Sequence, residues 1–80
     1  MIIKILGSGC KKCVALGDNA KAAAASAGID ADIEKVTDII AIAGYGIMST
    51  PGLVINEKVV SSGRVLTPAE ITPLLQEARP

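Results

Sequence analysis

The chain has 80 residues, half of them hydrophobic, with a single Tyr and neither Phe nor Trp. So short a chain is one domain, residues 1–80, with an aliphatic core, and at about 60% burial of its unfolded surface it depends on efficient packing. The hydrophobic content opposes intrinsic disorder, and eight Lys and Arg against eight Asp and Glu leave no basic excess for nucleic acid or an anionic membrane.

Met1 to Leu6 is a β-branched run closed by Gly7-Ser8-Gly9, the pattern of a strand buried on both faces. From Cys10 to about Ala27 the chain is helical. Leu16, Ala20, Ala23 and Ala27 recur at spacings of three and four, and Gly28 is placed to end the helix in a left-handed cap. Gly17 costs this helix ~1 kcal/mol relative to Ala, a cost expected to reflect close packing on the sheet. Ile29 to Val36 alternates, with Ile29, Ala31 and Ile33 on one face and acidic residues on the other, as a half-exposed edge strand does.

Thr37 is positioned to N-cap a short helix stopped by Gly44, with Ile39, Ile40, Ile42 and Ala43 as its apolar side. Residues 44–52 form a loop. Leu53–Ile55 and Lys58–Ser61 are strands joined by a tight turn at Asn56-Glu57, so they pair antiparallel. Thr67-Pro68-Ala69-Glu70 is a capping box with Pro at the first helical position, followed by an inward face of Ile71, Leu74, Leu75 and Ala78. Pro73 removes a hydrogen bond from that helix, which is expected to kink there or to restart its cap at Thr72. The element order is β-α-β-α-β-β-α, with a right-handed parallel βαβ at the start and a hairpin on the same sheet at the end.

Both cysteines fall within four residues, at Cys10-Lys11-Lys12-Cys13, and the chain has no His. A secreted disulfide scaffold spreads more cysteines along its length, so this clustering points to reactivity. No run approaches the ~20 apolar residues of a membrane span, and the opening lacks the pattern of a signal peptide. The expected protein is soluble and cytoplasmic.

Two thiols at this spacing on a helix start reach disulfide distance without unwinding the helix. Cys10 lies where unpaired N–H groups and the positive end of the helix dipole favour a thiolate, whereas Cys13 lies one turn inside. The asymmetry makes Cys10 the attacking sulfur and Cys13 the resolving one. Two other readings use the same residues. Two thiolates also suit a soft ion such as Cu(I), although a complete structural zinc site needs four ligands and the chain has two candidates. A redox-inert domain would simply bury two small hydrophobes.

The strand-Gly7-Ser8-Gly9-Cys10-Lys11-Lys12-Cys13-helix opening, Thr50-Pro51-Gly52 ahead of a hairpin, and the closing helix resemble the thioredoxin/glutaredoxin superfamily. More narrowly, they resemble its small prokaryotic redox-active disulfide proteins, and the resemblance runs from Ile2 to Ala78. It implies a thioredoxin-like α/β fold, a four-stranded mixed sheet flanked by helices. It also implies a cis bond at Pro51 lying against the active-site pair, and a substrate segment that adds to the backbone at Thr50 as an extra strand. Lys4 stands where thioredoxin has a buried Asp, and Lys11-Lys12 replace its Gly-Pro, so neither a potential nor a proton route carries over.

The expected function is that of a thiol–disulfide oxidoreductase and electron carrier, with Cys10 as nucleophile, Cys13 as resolving thiol, and Thr50 and Pro51 at the substrate. It needs no bound cofactor or metal. Its partners are disulfide-containing substrates and a thioredoxin-reductase-like donor, with no nucleic acid or membrane, and it acts as a monomer. Tyr45 is expected to cap the small core, and Arg64 to be a solvated turn residue.

Overall fold

The computed structural model describes residues 1–78; Arg79 and Pro80, the end of the expected domain, lie outside the described residues. The elements are β1 (Ile2–Leu6), α1 (Lys11–Ser26), β2 (Asp32–Val36), α2 (Ile39–Gly44), β3 (Gly52–Ile55), β4 (Lys58–Ser62) and α3 (Pro68–Ala78). They form one four-stranded mixed sheet in the order β2-β1-β3-β4, with β1 parallel to β2 and both remaining pairs antiparallel. With its three flanking helices this is the thioredoxin-like architecture that the resemblance implied. No helix among the described residues is long and apolar enough to cross a membrane.

The period-2 alternation of β1 divides the molecule into layers. Ile3 and Ile5 face one way and pack with Leu53 and Ile55 of β3, Leu16, Ala20, Ala23 and Ala24 of α1, and Ile71 and Leu75 of α3. Leu6 faces the other way and joins Val54 and Ile42 in a smaller cluster, flanked by Val36, Tyr45, Ile47 and Val59. The alanines of α1 let the helix lie close on the sheet, so the aliphatic core closes without large aromatics.

Local signals place most boundaries. Gly28, at φ +67°, ends α1: its N–H donates to the Ala25 carbonyl at 3.2 Å, and the Ile29 N–H to that of Ala24 at 2.9 Å. This double closure is a Schellman motif. It draws Ile29 into the helix terminus, so β2 begins at Asp32 and not at Ile29 as the alternation suggested. The capping box is formed in both directions: Glu70 N–H donates to Thr67 Oγ1 at 3.2 Å and Thr67 N–H to Glu70 Oε1 at 3.0 Å. Asn56 and Glu57 both have positive φ, as a type I′ hairpin turn requires.

Several expectations are corrected. The cap of α2 is Asp38, whose carboxylate accepts from the Ile40 N–H at 3.2 Å, and Thr37 stays in the loop. Only Ile42 of that helix is buried; Ile39 and Ile40 are 79% and 77% exposed. The six-residue helix meets a sheet surface only as wide as Leu6 and Val54, which one turn covers. α3 runs through Pro73 as one segment, and the Thr72 hydroxyl donates back to the Pro68 carbonyl at 2.8 Å instead of starting a new cap. At Gly17 an added Cβ would meet only Ile5 Cγ1, at 3.8 Å, so close packing does not require glycine there.

Candidate active site

Strand β1 delivers the chain to the end of the sheet, and Gly7-Ser8-Gly9 turns it into α1. Gly7 extends the parallel ladder by donating its N–H to the Val36 carbonyl at 2.9 Å. Cys10 then takes the N-cap of α1 with extended backbone (φ −67°, ψ 169°), and its sulfur accepts from the Cys13 N–H at 3.4 Å. A cysteine here does with sulfur what Ser or Asp does with oxygen, satisfying a helix N–H that has no carbonyl partner.

The two sulfurs are 2.7 Å apart, both as free thiols. Cys10 is exposed, whereas Cys13 is 4% exposed beneath the first turn. The Cys10 thiol is pushed below its ordinary pKa, first by the Cys13 side chain and then by the Cys13 backbone N–H, with the Lys12 and Cys10 N–H groups adding to the effect. Each donor stabilises the negative sulfur more than the neutral one. Lys11 and Lys12, next to it in sequence, are exposed. The arrangement is that of an accessible, activated sulfur backed by a covered one within bonding reach.

Thr50 and Pro51 approach from the other side. The Thr50–Pro51 bond is cis, Pro51 is fully buried, and its carbonyl accepts from the Gly63 N–H at 2.9 Å. Thr50 is exposed, and among the described residues no hydrogen bond engages its N–H or carbonyl. Thr50 and Cys13 both crowd Gly7: a Cβ added at Gly7 would lie 3.8 Å from Thr50 Cβ and would overlap Cys13 Sγ. All four expected site residues thus gather around one end of β1.

Other residues fall differently. Lys4 does not reach for the thiols. It points to the α2 face, donates to the Tyr45 hydroxyl at 3.0 Å and pairs with Glu57, while that hydroxyl donates to Glu57 at 3.0 Å. Glu57, then Tyr45, raise the Lys4 pKa, and Lys4 lowers that of Glu57. Tyr45 does flank the small core, as expected, but its hydroxyl joins an ionic triad that the sequence alone did not suggest. Arg64 pairs with Glu70 at 3.2 Å on the surface.

Sequence reading also missed a small crevice beside Cys13, of about 20 Å³, lined by Ile5, Gly7, Gly9, Cys13, Val14, Lys35 and Thr37. It has room for about one water molecule. The glycines at 7 and 9 could have signalled it, but they read equally well as a simple strand terminator. Among the described residues no group of three or more His, Cys, Asp or Glu gathers where it could hold a metal ion, so the soft-ion reading has only the two sulfurs to use.

Comparison with known proteins bears on the same residues. Residues 1–76 match the model of the thioredoxin domain family. The chain is 39% identical over 71 residues to a thioredoxin of Methanocaldococcus jannaschii, covering 89% of this chain and 81% of that protein. It is 37% identical over 75 residues to a thioredoxin of Methanothermobacter thermautotrophicus, covering 94% and 97%.

Proposed function

The chain belongs to the thioredoxin family of thiol–disulfide oxidoreductases, and we propose that its Cys10–Cys13 dithiol reduces disulfides of proteins and small molecules. The observation that carries the proposal is an exposed, acidified Cys10 sulfur at a helix N-terminus, 2.7 Å from the sulfur of a buried Cys13.

In the forward direction the Cys10 thiolate attacks one sulfur of the substrate disulfide. A Cys10–substrate bond forms, the substrate S–S bond breaks, and the first substrate thiolate leaves. Cys13 then gives up its proton to solvent and attacks Cys10 Sγ. The mixed disulfide breaks, the second substrate thiolate leaves, and the Cys10–Cys13 disulfide remains. Two electrons have passed to the substrate, and a thioredoxin-reductase-like donor returns two electrons and two protons to regenerate the dithiol. All the redox chemistry resides in the two sulfurs, so the proposal includes no bound cofactor or metal.

Substrate is proposed to lie along Thr50 and Pro51. The exposed, unengaged backbone of Thr50 supports this, since an extended peptide binds by offering its own N–H and C=O groups to such an edge. The protein is proposed to act as a monomer in the cytoplasm, a compartment in which reductants keep thiols free.

The test exploits the order of the two sulfurs. Each single variant is incubated with a disulfide-containing protein and run on a non-reducing gel. Cys13→Ser is expected to attack and remain attached to its partner, and Cys10→Ser to capture nothing efficiently. Symmetric behaviour without adducts, together with tight Cu(I) binding that either substitution weakens equally, would replace this proposal with soft-metal carriage.

A further inference from the structure

Gly7 has a conformation that any residue can adopt, since its φ lies outside the left-handed region where Gly9, Gly28, Gly46 and Gly63 sit. Its glycine identity therefore answers to space. An ideal Cβ at Gly7 would overlap Cys13 Sγ, stand 3.4 Å from Cys13 Cβ and 3.8 Å from Thr50 Cβ. The backbone on both sides of this contact is held. The Gly7 N–H is held in the sheet by Val36, and the Cys13 end of α1 is held by the Cys13 N–H to Cys10 Sγ and the Val14 N–H to the Cys10 carbonyl at 3.0 Å. Farther along, Leu16, Ala20 and Ala23 pin the helix to the core. The flexible group at this contact is the Cys13 side chain, and its freedom is rotation about χ1 between a few staggered wells.

We infer that Gly7 is a positioning residue for the resolving step: its missing side chain is the seat that holds the Cys13 sulfur on its line to Cys10. The inference rests on the dithiol reading above and adds to it a division of labour. The seat bears on Cys10 attack only through the Cys13 sulfur's effect on the Cys10 pKa, because Cys10 is exposed and contributes none of the three atoms nearest the Gly7 Cβ position. The second displacement does involve it. A methyl group at position 7 turns the Cys13 sulfur away from Cys10, and a misplacement of ~1 Å in a reacting atom slows a displacement by up to about 100-fold.

The experiment uses one equivalent of 5,5′-dithiobis(2-nitrobenzoate) with the fully reduced protein. The first nitrothiobenzoate ion is released when Cys10 forms the mixed disulfide, and the second when Cys13 displaces it. Rates are read well above the ordinary thiol pKa, where Cys10 is a thiolate whether or not the Cys13 sulfur lies beside it. There the first release of Gly7→Ala is expected near the parent rate and the second to be slower by roughly 10–100-fold. A second release as fast as the parent's overturns the inference.

Urea unfolding supplies a readout that does not depend on activity. Gly7→Ala is expected to destabilise the parent but to cost much less in a Cys13→Ala background, where no sulfur occupies the seat. An equal loss in both backgrounds assigns the glycine to the backbone and overturns the inference, even if Gly7→Ala folds too poorly for kinetics. A parent that releases only one ion refutes the dithiol reading itself and the resolving step with it; the urea comparison distinguishes that failure, because it reports on the sulfur's seat without any exchange reaction.

Discussion

Replacing Gly17 by Ala is expected to stabilise the protein. Gly17 lies on the buried face of α1, one turn beyond Cys13, and the nearest heavy atom to an added Cβ is Ile5 Cγ1 at 3.8 Å, an ordinary van der Waals contact. The helix gains about 0.5–1 kcal/mol from removing a glycine's backbone entropy. Burying the new methyl against Ile5 contributes up to ~0.8 kcal/mol more. The sum is roughly 0.5–2 kcal/mol, and in a domain this small each kcal/mol raises Tm by about 4–8 °C. Thermal and urea unfolding followed by far-ultraviolet circular dichroism measure it. The Cys10 titration, read in parallel, is expected to stay put, because the cap lies in the first turn. A neutral or destabilised Gly17→Ala protein would refute the reasoning and mean that α1 and β1 approach more closely than 3.8 Å allows.

Three further outcomes are expected. Alkylation of Cys10 by iodoacetamide should show a midpoint below the ~8.5 of a free thiol, and Cys13→Ala should move it upward, because the Cys13 side chain is the leading cause of the shift; an unmoved midpoint would assign the shift to the helix N–H groups alone. Glu57 is held below the usual carboxylate range by Lys4 and then by Tyr45. Its contribution to stability is therefore complete above the ordinary Glu pKa and is lost as pH falls through the lower folded value, so urea unfolding should separate Glu57→Gln from the parent at pH 7 and bring the two together in strong acid. Thr67→Ala removes the hydroxyl that accepts from the Glu70 N–H and should cost about 0.5–2 kcal/mol by urea unfolding, with disulfide exchange unchanged.

Where the physics is local, the fold could be read along the chain. The capping box at Thr67 and Glu70, the tight turn at Asn56-Glu57 and the glycine closure at Gly28 each involve residues within a few positions of one another, and each formed as read. Cys10 and Cys13 belong with them, since the spacing and the helix start bring the sulfurs together without help from the rest of the fold. The short helix shows the limit of such reading. Thr37 and Asp38 are both competent caps, and moving the start by one residue rotates the helix face by about 100°. Which residue caps depends on where the chain leaves β2, whose last paired residue is Val36. That choice sends Ile42 to the sheet and leaves Ile39 and Ile40 in solvent.

The sequence by itself determined the element order, the closely spaced cysteine pair and the different placement of its two sulfurs, because periodicity, capping and helix geometry act over a few residues. The tertiary structure decided what stands around that pair. The β1–β3 register and the hairpin turn bring Glu57 to Lys4 across 53 positions of chain, which keeps that lysine away from the thiols. The parallel β1–β2 ladder holds Gly7 against Cys13, and the long loop returns Thr50 to the same place. Such contacts are set by how the sheet and helix close on one another, and a glycine that leaves room for a sulfur six positions on looks, along the chain, like any glycine that ends a strand.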